Sequence, residues 1–185
     1  MKSSTRCSFI GHRKINGIEE LKGKLYNIIE DLILNKNVTE FLFGSRSDFD
    51  NLCHVLVTFL KEKYPHIQRL FYTCKNDGFI LESEREREEK TYSKILKKPI
   101  SLRGFEKEVE HKTKYTAGKA SYVERNRAII DDSDYCIFYY DENYMPKLRQ
   151  YSKDSIYYQP KSGTKLAYEY AKRKNKVIIN VKEIT

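Results

Sequence analysis

The sequence predicts an α/β fold of Rossmann-like type, a three-layer sandwich with a mostly parallel central sheet of at least five strands. Two observations predict it. Short apolar runs alternate with longer segments of helical period, the pattern of a parallel sheet covered on both faces. Small residues, glycine among them, follow several of these runs, where such sheets carry their loops. A chain of 185 residues is expected to form one domain spanning 1–185, since ~100 to 200 residues is usual for a domain.

Residues 7–10 read as a buried strand ending at Gly11. A helix over about 18–34 follows, with Leu21, Leu25, Ile28, Ile29 and Leu32 at helical spacing. Residues 39–43 form the second strand, ending at Gly44-Ser45, and a helix over about 49–63 follows with Asp48 as its expected N-cap and Pro65 at its exit. The third strand covers 69–74. From 75 to 114 the pattern gives way to a charged variable insertion, whose run from Glu84 to Lys90 reads either as a helix laced by ion pairs or as a mobile lobe. Regularity returns with a helix over about 121–131 and a strand over 134–140. A Tyr-rich loop of about 141–160, bounded by Pro160, precedes the last helix over 163–173 and a closing strand over 176–181.

Composition excludes more than it selects. The hydrophobic share of 39%, with 15 Tyr and 9 Phe, supplies a packed core. The apolar stretch 7–10 is far shorter than a signal-peptide core or the ~20 residues of a membrane span, so a cytoplasmic protein without membrane association is expected. Cys7, Cys53, Cys74 and Cys136 form no CxxC pair and lie in apolar segments, which reads as buried free thiols. The four histidines lack metal-ligand spacing, and no metal is expected. There is no GxGxxG and no GxxxxGK[ST], hence no cofactor fingerprint. A net charge of +9 points to an anionic partner without naming it.

Parallel sheets bind ligands beyond the carboxyl ends of their strands. Gly11-His12-Arg13, Gly44-Ser45 and Asp141-Glu142 follow strands, and Ser162-Gly163-Thr164 opens a helix. The last segment is the best phosphate site, because small residues ahead of a helix leave backbone N–H groups unpaired beside the positive end of its dipole. Ser162 also reads as an ordinary helix cap. Within Tyr122-Val123-Glu124-Arg125-Asn126-Arg127, the two arginines point about 200° apart, so one at most faces a ligand, and Asn126 is an unexpected mid-helix residue.

The segments 7–13, 118–126, 134–141 and 162–171 resemble, in order, the YpsA-like branch of the SLOG superfamily, which includes the LOG phosphoribohydrolases and the DNA-processing protein DprA. The resemblance implies a nucleotide-type ligand, with Ser162, Gly163 and Thr164 on phosphate and Gly11, Arg13 and Gly44 lining the same crevice. It also implies Arg125 in the position of the LOG helix arginine, and a homo-oligomer. The chain departs from the LOG loop PGGxGTxxE, carrying Leu166 and Ala167 where the LOG acids cluster.

Three functions follow. The first is a sensing or sequestering module that binds a nucleotide-derived small molecule through Gly11, His12, Arg13, Gly44, Ser45, Arg125, Asn126, Ser162, Gly163 and Thr164. The second is an N-glycosidic hydrolase or transferase using Glu124, Asp141 or Glu142. The third is nucleic-acid binding in the manner of DprA, with the Tyr-rich loop stacking bases.

Overall fold

A computed structural model describes residues 4–44, 47–73, 82–99, 101, 104–111, 118–150, 157–158 and 160–184. Six parallel strands form the central sheet: β1 (Thr5–Gly11), β2 (Val38–Phe43), β3 (Gln68–Thr73), β4 (Lys107–Glu110), β5 (Tyr135–Tyr139) and β8 (Val177–Asn180). Their order is β4-β3-β2-β1-β5-β8. A separate two-stranded antiparallel pair, β6 (Arg149–Gln150) and β7 (Tyr157–Tyr158), lies within the Tyr-rich loop. Among the described residues five helices connect the strands: α1 (Ile18–Lys36), α2 (Asp48–Lys63), α3 (Glu82–Leu96), α4 (Gly118–Asp131) and α5 (Gly163–Arg173).

Alternation along the strands sorts the core into two layers. Cys7 and Phe9 of β1 join Phe41 and Phe43 of β2 and Ile137 and Tyr139 of β5 under the apolar stripes of α1 and α2. Ile10, Cys136 and Phe138 face the other way, onto Ile130 of α4 and Ala167, Tyr168 and Ala171 of α5. Both faces are covered, which is why the strands read as continuous apolar runs.

Helix ends follow local chemistry. Gly17, at φ 63, turns the chain into α1, and Asn37, at φ 54, ends it by donating its N–H to Leu32 O. The N-cap of α2 is Ser47, not Asp48: the Ser47 hydroxyl accepts the Asp50 N–H at 3.1 Å. Asp48 enters the first turn instead, where its charge meets the positive helix end.

The charged insertion contributes two regular elements. Glu84–Lys90 lies in α3, which docks through the buried Tyr92, through Glu88 accepting from Asn51 Nδ2 at 2.9 Å, and through the Ile95 carbonyl accepting from Lys22 at 2.8 Å. β4 then pairs with β3 as an edge strand with three exposed residues of four. Ahead of it, Glu106 binds the Arg69 guanidinium at 2.8 Å and the Arg69 amide at 2.6 Å, tying the insertion to β3. No helix among the described residues is long and apolar enough to cross a membrane.

Candidate functional site

The strand order reverses between β1 and β5. From β1 the chain steps through α1 and α2 toward β2, β3 and β4, while β5 and β8 lie on the other side. Because all six strands are parallel, their carboxyl ends share one edge, and α4 and α5 run back across the sheet so that both begin at that edge. The crevice of a switch point is therefore framed by 11–13, 44, 140–144 and the first turns of α4 and α5.

After β1, Gly11 is required by packing. A Cβ there would stand 2.5 Å from the Phe49 ring. His12 is buried and donates its backbone N–H to Tyr139 O at 3.2 Å, while its Nε2 accepts the Asp141 N–H at 3.0 Å. Burial lowers the His12 pKa, and an Nε2 that accepts an amide proton must keep its lone pair, so the neutral imidazole carries its proton on Nδ1. The ring lies 4.2 Å from that of Tyr144 and 6.0 Å from that of Tyr140. Arg13 is exposed, and its carbonyl accepts the Asp48 N–H at 2.9 Å.

Gly44 follows β2 and sits under α4. A Cβ on it would meet Ile129 Cδ1 at 2.7 Å, Arg125 Nε at 3.1 Å and the Tyr72 carbonyl at 3.2 Å. Arg125, only 3% exposed, thus lies directly over the Gly44 backbone, with its guanidinium 5.1 Å from the Tyr122 ring. Ser45 lies outside the described residues. Asn126 carries a buried Oδ1 with no hydrogen-bond partner among the described residues. It sits one turn before Ile130, which packs on Ala167 and Ala171, and so on the side of α4 that meets α5.

At the start of α5, Ser162 Oγ accepts the Lys165 N–H at 3.0 Å and Ser162 O accepts the Leu166 N–H at 3.1 Å. The amides of Gly163 and Thr164 have no acceptor among the described residues, and a Cβ on Gly163 would meet nothing within 4 Å. The cap and the anion site predicted from sequence are compatible, since the hydroxyl uses a different amide. Lys161 is turned to Glu169, 3.0 Å away.

The candidate carboxylates differ in environment. Asp141 is bound by Lys182 at 3.1 Å and accepts the Asn143 N–H at 3.0 Å, and these contacts, the lysine first, hold its pKa below the usual carboxylate value. Glu142 is exposed and Glu124 half-buried on α4. Among the described residues no three His, Cys, Asp or Glu side chains gather as a metal ion would need.

Several residues of this edge escaped sequence reasoning. Asn180, ending β8, receives the Tyr140 N–H on Oδ1 at 3.1 Å and donates Nδ2 to the Tyr140 carbonyl at 3.0 Å. That clamp fixes the Tyr140 ring, which stacks on Tyr168 of α5 at 4.4 Å. An aromatic surface of His12, Tyr140, Tyr144 and Tyr168 therefore connects the end of β1 to α5. The available signal was a lone polar residue closing the apolar run 177–180.

A groove of about 480 Å³ opens at the opposite edge of the sheet, beside Thr5, Asp134 and Val177. Its Lys176 is engaged by the carbonyls of Asp131 and Ser133, and its Lys174 by Asp131. Lying at the amino ends of the strands, it has no switch-point loops, and the carboxyl edge is the better site.

The chain is thus a doubly wound, Rossmann-like α/β protein whose switch point is bordered by polar and aromatic side chains. No protein-family model matches it, and no curated protein matches it. Among solved structures it is similar to DNA processing protein A from Helicobacter pylori, a structure solved to show that protein's single-stranded DNA binding mode. The TM-score is 0.54 at 16% identity, over 94% of this chain and 63% of that chain. The similarity is one of fold, and the chain spans less than two thirds of that protein's length.

Proposed function

We propose that the chain binds a nucleotide or nucleotide-derived phosphate ligand in the switch-point crevice, as a sensing or sequestering module of the SLOG superfamily, YpsA-like branch. The observation that carries this reading is the start of α5, where among the described residues the Gly163 and Thr164 amides have no acceptor and nothing lies within 4 Å of a Cβ placed on Gly163. Such a helix start favours a phosphate through both its N–H groups and its dipole. Arg125 over Gly44 supplies a permanent cation, and the unpartnered Asn126 Oδ1 suits a hydroxyl or amine donor such as a ribose or base presents. The rings of Tyr140 and Tyr144 offer a face for a base.

Binding without turnover is the preferred form of the proposal. Asp141, anchored by Lys182 and held ionised, serves the loop better than it serves proton transfer to a leaving base.

Native mass spectrometry of protein purified from cells, followed by calorimetry with AMP, tests the proposal and reads the oligomeric state as well. A retained phosphate-bearing metabolite supports it. Absence of any such mass, together with no heat of AMP binding at millimolar ligand, would sink it.

A second reading, in which the crevice holds one nucleotide of a single strand, is favoured by the likeness to DNA processing protein A and by exposed Tyr144 and Tyr122. Its signature is a steep loss of oligonucleotide affinity with salt.

A further inference from the structure

Away from the strand ends, the outer face of α4 and α5 carries three cations around Tyr170, with Lys172 beside them at the buried Tyr168. Arg127, Arg173 and Lys174 place their charged groups 5.3, 5.7 and 5.3 Å from the centroid of the Tyr170 ring. Lys172 stands 4.7 Å from the centroid of Tyr168. One carboxylate answers them: Asp131 accepts from the Tyr170 hydroxyl at 2.8 Å and pairs with Lys174 at 3.0 Å. Arg127, Lys172 and Arg173 are exposed and make no ion pair among the described residues. The neighbouring Asp132 is turned away, accepting from Tyr72 at 2.6 Å.

This arrangement is unfavourable for the chain by itself. Three like charges stand within 5.7 Å of one ring centroid, a spacing comparable with the Debye length of ~8 Å at physiological salt, and Asp131 offsets one of them, while an exposed cation–π contact returns only ~0.5–1 kcal/mol. A polyanion relieves the repulsion and gains from it. The rings also hold the cationic groups in place, so less side-chain entropy is lost when phosphate binds, and two guanidinium groups offer paired N–H donors that match phosphate oxygens. Charges spread over two helices suit a repeating backbone better than a single acidic side chain. We propose that the α4–α5 face binds the sugar–phosphate backbone of a nucleic acid, at a site separate from the crevice.

The test compares two charge reversals of equal size. Arg127→Glu with Arg173→Glu alters the face, while Lys90→Glu with Lys107→Glu alters exposed residues of α3 and β4 far along the sheet. All four positions are exposed, and circular dichroism checks that both variants fold. Fluorescence anisotropy with a labelled oligothymidylate and with a duplex of ~20 units, over salt from ~50 mM upward, reads affinity and its salt slope. The face variant should lose at least about tenfold and flatten the slope by about 1.4 on the single strand or 1.8 on the duplex, two phosphate contacts at ~0.7 or ~0.9 each. The control should lose about threefold or less with its slope kept.

Equal losses in the two variants would show only net charge at work and overturn the proposal. So would wild-type protein that binds neither probe, or polyglutamate that competes as well as the oligonucleotide, which would mark an acidic-protein surface. AMP calorimetry on the same variants separates the sites: the face variant keeps whatever AMP affinity the wild type has, and a wild type blind to AMP overturns the crevice reading alone.

Discussion

Replacing Gly163 with aspartate drives stability and ligand affinity in opposite directions. The backbone at Gly163 is not left-handed and a Cβ there meets nothing within 4 Å, so the fold admits a side chain. Removing glycine's freedom in the unfolded chain stabilises by ~0.4–1 kcal/mol, and a carboxylate in the first turn of α5 adds ~0.3–1 kcal/mol through the helix dipole. At about 2–4 °C per kcal/mol for a chain of this size, Tm should rise by a few degrees. The same carboxylate occupies the space proposed for phosphate. Two unit charges ~4 Å apart repel by about 1 kcal/mol in water and about 4 kcal/mol at an effective dielectric near 20. AMP affinity should therefore fall by between about fivefold and several hundredfold, at 1.4 kcal/mol per decade. Gly163→Asn, close in shape but neutral, loses only the steric share. Calorimetry and thermal denaturation on the three proteins check both signs. An aspartate variant that binds AMP as tightly as the wild type refutes the placement of phosphate at α5, and one that loses Tm refutes the open geometry at Gly163.

Other consequences are equally direct. Gly44→Ala forces a Cβ to 2.7 Å from Ile129 Cδ1 and 3.2 Å from the Tyr72 carbonyl, so overpacking of ~1–3 kcal/mol should appear as a lowered urea midpoint. Arg125→Ala should weaken AMP binding by roughly 1.5–3 kcal/mol through loss of a charge-assisted hydrogen bond, compared at equal folded fraction. Asn180→Leu strips both partners from the Tyr140 backbone; a buried unsatisfied group costs ~1–3 kcal/mol, and the urea midpoint should fall by at least one such loss. His12 is protonated more readily in the unfolded chain than in the fold, since its folded pKa lies below 6.5. Its stabilising contribution is then complete above about pH 6.5 and declines as pH falls toward the folded pKa, by at most ~1.4 kcal/mol per pH unit. Urea titrations of wild type and His12→Gln between pH 5 and 7.5 should differ in slope within that window, and parallel curves would count against a buried neutral His12.

The alternation of strands and helices was legible because buried parallel strands leave runs such as 7–10 and 134–140 that no amphipathic helix would show, whereas the strand order was not. β4 was not, because an edge strand of Lys107, Glu108, Val109 and Glu110 faces water on three of its residues and is set in place by Glu106 on Arg69, a contact between distant positions. Ser47 displaced Asp48 as the α2 cap since either side chain can accept an N–H, and the phase of the helix decides between them. At the crevice, the residues after each strand could be named from position, whereas Tyr140 and Asn180 depend on which strands are neighbours across the sheet. The cations of α4 and α5 read individually as a solvated helix face, and their convergence on Tyr170 exists only once the two helices are packed.

Three glycines were grouped by sequence into one crevice, and the structure sets them apart: packing requires Gly11 and Gly44, and neither packing nor φ requires Gly163. Gly11 makes room for Phe49 of α2, so a substitution there tests packing and says nothing about a ligand. Gly44 makes room for Ile129 and for Arg125 Nε, so a side chain there would displace the arginine proposed to hold the ligand. Among the described residues Gly163 makes room for no protein atom and the amides beside it have no acceptor, and its φ needs no glycine. Of these three, Gly163 is the one whose size the proposed ligand would explain, although Gly23 on α1 is equally free of packing and φ demands. It follows that the three should separate on substitution by alanine: Gly11 and Gly44 should lower the urea midpoint, while Gly163 should hold or raise it and lower affinity for AMP. Loss of AMP affinity in proportion to lost stability at all three positions would place the ligand elsewhere.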